Sequence, residues 1–95
     1  MKTVRWTLPA LADLDAMQDY VAERNPAAAF RMVNAILDRA AHLSQTPQIG
    51  RPGRVQDTRE LVLADIGYVV AYRLRDGVEI LAVMHGAREW PEEFD

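Results

Sequence analysis

Few side chains in this sequence can move a proton near neutral pH. The candidates are two histidines, His42 and His85, since an imidazole titrates close to neutrality and serves as acid or base. His42 falls in a helical stretch without a partner at metal-ligand spacing, and the absence of cysteine removes thiolate sites, so no metal is expected. No glycine motif of the phosphate-cradling kind is present; Gly50, Gly53 and Gly67 fit turns, and no cofactor is expected. Ten of the eleven basic residues are arginine, whose planar fork matches a carboxylate or a phosphate, although genomic composition gives the same excess. Five arginines lie between Arg51 and Arg75 against Asp57, Glu60 and Asp65, whereas Glu89 to Asp95 carries four acids. The middle of the chain is therefore locally basic within a protein of net charge −3, a sum that disfavours bulk electrostatic binding of nucleic acid.

The stretch from Tyr68 to Pro91 must position these groups. Tyr68 to Leu74 and Val78 to His85 are rich in β-branched and aromatic residues and are separated by Asp76-Gly77, which tolerates the positive φ of a two-residue hairpin turn. With those two residues as the loop, Arg73 pairs with Ile80, Tyr72 with Leu81 and Tyr68 with His85. One face then carries Tyr68, Val70, Tyr72, Leu81, Val83 and His85, and the other Val69, Ala71, Arg73, Ile80, Ala82 and Met84. Both faces are largely apolar and need cover. The same count puts His85 and Arg73 on opposite sides of the sheet.

The remaining elements are read in order. Lys2 to Thr7 is strand-like. Thr7 caps a helix from Pro9 in which Leu11, Leu14, Met17 and Val21 recur at helical spacing. Asn25-Pro26 ends it and starts a second helix to about Ser44, with Ala29, Val33, Ile36, Leu37, Ala40 and Leu43 on one stripe and Phe30 and Met32 off it. Residues 45–57 hold prolines, glycines and no apolar period, and are expected to be loop; Thr58 to Leu63 resumes as a strand. The order β-α-α-β-β-β predicts an α+β fold, an antiparallel sheet packed against a two-helix hairpin, as a single domain over residues 1–95. Apolar runs are too short to span a membrane, and the amino terminus lacks the apolar core of a signal peptide, so a cytoplasmic location is expected.

Several short stretches, met in this order, resemble the ParE/RelE toxin superfamily of bacterial type II toxin–antitoxin systems. They are Ala12-Asp13-Leu14 with Tyr20-Val21; Pro47 with Gly50-Arg51; Arg59-Glu60-Leu61; and Tyr68-Val69-Val70-Ala71-Tyr72-Arg73, followed by His85-Gly86-Ala87-Arg88 and Trp90-Pro91. The resemblance implies a strand, two helices and three strands, and a cognate antitoxin whose carboxyl-terminal region wraps the toxin. One branch, similar to RelE, cleaves messenger RNA in the ribosome; another, similar to ParE, poisons DNA gyrase without being a nuclease.

For the nuclease branch, His85 takes the proton-transfer role while Arg59 and Arg73 clamp phosphate. Against it stand the opposite-face placement of His85 and Arg73, the acidic net charge, and the lack of a tyrosine or second histidine after Trp90. Arg73 is equally suited to an ion pair with Glu60 or Glu79. The gyrase-inhibiting branch needs a binding surface rather than a reacting constellation, and arginines and aromatics are its expected carriers: Arg88, Trp90, Arg51 and Arg54. Leu11, Met17, Tyr20 and Phe30 on the helices are the expected antitoxin contacts. A degenerate member that binds its antitoxin without being toxic is the third reading. The expected partners are thus an antitoxin with DNA gyrase, or alternatively the ribosome and mRNA.

Overall fold

The computed structural model describes residues 2–86 and Phe94. Arg88 and Trp90, both expected to contact the target, lie outside the described residues. Strand β1 (Val4–Trp6) leads into helix α1 (Leu8–Ala22), then α2 (Pro26–Ala41) with a 3-10 turn at His42–Ser44. Strands β2 (Arg51–Pro52), β3 (Arg59–Leu63), β4 (Tyr68–Leu74) and β5 (Val78–His85) follow.

Both helix starts are fixed by side-chain caps followed by proline. Thr7 Oγ1 accepts from the Ala10 amide at 3.3 Å and donates to the Ile80 carbonyl at 2.8 Å, so one hydroxyl caps α1 and ties it to β5. Asn25 Oδ1 accepts from the Ala28 amide at 3.1 Å, and Pro26 occupies the first turn of α2.

The five strands form one sheet in the order β1-β5-β4-β3-β2. It is mixed rather than wholly antiparallel, because β1 pairs parallel with β5 through Val4 and Val78, Arg5 and Glu79, Trp6 and Ile80. The two helices and the antiparallel strands β2 to β4 intervene between these parallel neighbours, a connection far longer than a hairpin, as a parallel pairing demands. The stretch expected to be loop contains β2, which pairs with β3 through Arg51 and Glu60.

The hairpin departs from a two-residue turn. Leu74 pairs with Val78 and Arg73 with Glu79, so Arg75, Asp76 and Gly77 form the loop, with φ of 51° at Asp76 and 111° at Gly77. A Cβ at Gly77 would sit 2.7 Å from the Thr3 carbonyl oxygen, which the Val78 amide already engages. The shift is cancelled where Tyr72 faces Ile80 but Ala71 faces Ala82, leaving Leu81 as a bulge and restoring the expected Tyr68–His85 pair. Ile80 therefore joins Tyr72 in the core instead of sharing a face with Arg73, and Leu81 leaves the face assigned to it.

The helices cover the face bearing Val70, Tyr72, Val78, Ile80 and Val83, which packs with Leu14, Met17, Ile36, Ala40 and Leu43. On the other face Ala71, Ala82 and Met84 form a smaller buried cluster with Phe94 against it. Met17, expected to meet an antitoxin, is 5% exposed and belongs to the core. Its place one turn beyond Leu14 on the inner stripe of α1 accounts for this.

Candidate functional site

The helical hairpin leaves large apolar side chains in solvent. Phe30 is 69% exposed and Tyr20 59%; Leu8, Leu11 and Leu37 are also exposed. Three of the four expected antitoxin contacts are thus accessible, Met17 being the exception. The Arg24 guanidinium lies 4.2 Å from the Tyr20 ring centroid, a cation–π contact that holds the ring at the end of α1. Met32 is half-buried against the core edge.

At that end of the molecule the Tyr68 and His85 rings meet edge to face, 5.4 Å between centroids. Burial, aided by nearby Tyr20, pushes the Tyr68 phenol above its ordinary value. His85 itself is exposed.

Arg59 and Arg73 lie elsewhere. Tyr72 is the strand partner of Arg59, and Tyr68 that of His85, so four residues of β4 separate the two positions, roughly 13 Å at about 3.3 Å per residue. Arg73 Nε donates to Glu79 on the sheet face opposite Tyr68 and His85. Arg59 Nη1 donates to the carbonyls of Gly50 (2.8 Å) and Gln48 (3.2 Å), bracing the loop after α2. The residues expected to cleave RNA are not gathered into one site. Arg59 and Arg73, whose side chains leave the sheet on opposite faces, both line, with Arg75, an open groove of about 600 Å3 at the hairpin-loop end of the sheet.

Two carboxylates organise the remaining arginines. Glu60, 1% exposed, accepts from Arg51 Nε (3.1 Å) and Nη2 (2.8 Å) through Oε1 and from the Arg54 amide (2.8 Å) through Oε2. The Arg54 guanidinium stands 3.5 Å from the same Oε2. Burial alone would raise the Glu60 carboxyl; the Arg54 amide and the Arg51 guanidinium outweigh it and hold the group below the usual carboxylate range. Glu79 accepts from Arg5 (2.7 Å) and Arg73, and these two hydrogen bonds lower it in the same way. Arg51 and Arg54 are therefore not merely solvated loop charges: they hold the loop onto β3 while about half of each side chain remains exposed. Of the two partners expected for Arg73, Glu79 takes that role and Glu60 binds Arg51 and Arg54 instead, a pairing the neighbouring loop has no period to reveal.

Asp13 was also missed as a positioned residue. Its Oδ2 accepts from the Val83 amide at 3.0 Å, satisfying a strand N–H beyond the end of β1. No set of three or more histidine, aspartate or glutamate side chains is gathered as for a metal among the described residues.

Residues 4–90 match the family model of the ParE toxin of type II toxin–antitoxin systems, parDE. The chain belongs to the ParE toxin family. Among relatives of this ParE-family toxin, the toxin candidate Y4kP of Sinorhizobium fredii is 48% identical over 91 residues, covering 96% of this chain and 95% of that protein. Toxin RelE2 of Caulobacter vibrioides is 40% identical over 89 residues, covering 93% and 99%. A solved structure described as the chromosomal ParDE toxin–antitoxin system from P. aeruginosa superposes with a TM-score of 0.81 at 28% identity, covering 90% of this chain and 96% of that one. Its fold agrees with the two helices and five-stranded sheet of this ParE-family chain.

Proposed function

We propose that this toxin acts in the cytoplasm by binding and inhibiting DNA gyrase, without chemistry of its own, and that a cognate antitoxin neutralises it by covering the exposed apolar positions of α1 and α2. The observation that carries the non-enzymatic reading is the separation of His85 from Arg59 and Arg73 along β4, with Arg73 paired to Glu79 on the far face. Proton transfer and charge neutralisation at one phosphate require groups within hydrogen-bond reach of the same atoms. Leu11, Tyr20 and Phe30 give an amphipathic antitoxin helix apolar anchors of the groove-binding kind. Arg51, Arg54, Arg88 and Trp90 are assigned to the target, being the residue types that dominate interface energies.

The deciding experiment is induction of the chain alone in bacteria, scoring transcript cleavage and gyrase-dependent DNA breaks together, with His85→Ala and Arg88→Ala beside the parent. The expected result is DNA breaks with intact transcripts, retained by His85→Ala and lost in Arg88→Ala. Transcript cleavage abolished by His85→Ala would establish the ribosome-dependent nuclease instead.

A further inference from the structure

We propose that Ile49 is the apolar anchor of the surface that meets the toxin's target, carried on a loop already fixed before contact; this rests on the inhibitor reading above and extends its Arg51 and Arg54 patch. Ile49 lies between the 3-10 turn and β2 and is 65% exposed. A single exposed isoleucine is ordinary by itself. What sets this one apart is the backbone that carries it.

Every residue from Pro47 to Gly50 has a main-chain group tied down. The Pro47 carbonyl accepts from the Tyr72 hydroxyl at 2.7 Å, and the Gly50 amide donates to the same oxygen at 2.9 Å. Arg59 Nη1 donates to the carbonyls of Gln48 and Gly50, and the Ile49 amide donates to the Thr46 carbonyl at 3.1 Å. Arg59 is the strand partner of Tyr72, so both act from the helix-covered face of the sheet. Glu60 pairs with Ala71 and takes Arg51 and the Arg54 amide on the opposite face. The loop is thus gripped from both sides of the sheet edge.

Tyr72 and Glu60 are buried to 1% exposure or less, and polar side chains sunk that deep carry a desolvation cost that apolar residues would avoid; what they return here is a fixed loop shape. Ile49 is β-branched, with a stiff χ1, so neither its backbone nor its side chain has much freedom left to lose on contact. Beside it, Leu43 and Leu61 line a groove of about 240 Å3 with Ile49 on its wall. An apolar centre followed closely along the chain by Arg51 and Arg54 has the residue types that dominate interface energies. The antitoxin positions lie away from it: Phe30 stands roughly 16 Å from the end of α2 at Ala41, at about 1.5 Å per residue, and the loop begins beyond that end.

The test compares the parent with Ile49→Asp, Ile49→Val and Leu8→Asp, the last placing the same charge at another exposed apolar position, at the start of α1. In a gyrase supercoiling assay Ile49→Asp should need about tenfold more protein for equal inhibition, and Ile49→Val and Leu8→Asp less than about threefold more. The melting temperature of Ile49→Asp should match the parent, and the Ile49 and Gly50 amides of the free toxin should resist exchange. Undiminished inhibition by Ile49→Asp, or an equal loss in Leu8→Asp, overturns the anchor, as does rapid exchange of both amides. Should the parent leave gyrase untouched, the gyrase reading falls by itself and growth arrest on induction becomes the measure. Arrest lost in Ile49→Asp but kept in Leu8→Asp then supports the anchor; arrest kept in Ile49→Asp, or absent from the parent, overturns it. Should Ile49→Asp melt early, Ile49→Ser takes its place in each comparison.

Discussion

Tyr72 is the largest fully buried side chain, and its hydroxyl shows how single residues hold this molecule together. It accepts from the Gly50 amide at 2.9 Å and donates to the Pro47 carbonyl at 2.7 Å, so both backbone groups of a loop that follows α2 are satisfied by a strand residue. A Cβ at Gly50 would lie 2.6 Å from that oxygen, so the close approach requires glycine. Tyr72→Phe leaves the buried Gly50 amide and the part-buried Pro47 carbonyl without this partner, which costs about 1–3 kcal/mol. A domain of this size then melts roughly 4–8 °C lower per kcal/mol, and Gly50 amide exchange should accelerate with it. A melting temperature unchanged in Tyr72→Phe would mean that the loop is held by other contacts. What sequence could say at this scale was uneven. Counting pairs from the turn puts Arg73 and His85 on opposite faces, as observed, because the extra residue of the three-residue turn is cancelled by the Leu81 bulge before Tyr68 meets His85. It misplaces Ile80 and Leu81, because a bulge changes sides without leaving a mark such as glycine. Arg51, Arg54 and Glu60 meet only through tertiary contact, and nothing local announces that.

At the level of elements, caps were the most legible feature: Thr7 and Asn25, each followed shortly by proline, carry their own local energetics and start the helices where expected. The parallel pairing of β1 and the short β2 were not legible, since strand neighbours are chosen by the whole fold and a two-residue edge strand has no period. The helices also show why a stripe read by spacing is not yet a surface. Leu11 and Met17 share the α1 pattern, yet Leu11 is exposed and Met17 is core. This yields a contrast between two substitutions. Phe30→Asp removes an exposed anchor and should reduce copurification with the antitoxin tenfold or more while leaving thermal stability within about 0.5 kcal/mol. Met17→Ala should instead destabilise the free toxin by about 2–4 kcal/mol through the cavity it leaves. If Phe30→Asp retains full antitoxin binding, the helix positions are not the contact.

Across the whole molecule, carboxylates held by arginines join elements distant in sequence. Glu60 ties the β2 loop to β3, Glu79 links β5 to β1 and β4, and Asp65 in the β3–β4 turn receives both Arg39 Nη groups from α2 at 2.7 Å. Hydrogen bonding to Arg39 lowers Asp65, as the arginines lower Glu79 and as the Arg54 amide with Arg51 lowers Glu60 against its burial. All three groups therefore bind protons less readily folded than unfolded. Their stabilisation is present above the unfolded carboxylate value of about 4 and is lost as pH falls through the still lower folded values. The melting temperature should be level near neutrality and fall steeply below about pH 4. Asp65 and Arg39 are open to solvent and contribute the least to this, so the acid limb belongs chiefly to Glu60 and Glu79. Glu60→Gln keeps the shape but not the charge, and should cost about 1–3 kcal/mol at pH 7. Because the parent carboxyl is itself neutralised in acid, the two proteins should converge as pH falls below the usual carboxylate range. A constant gap between them from neutral to acid pH would show that Glu60 acts through packing alone, and the ionic account of how the loop arginines are held would then fail.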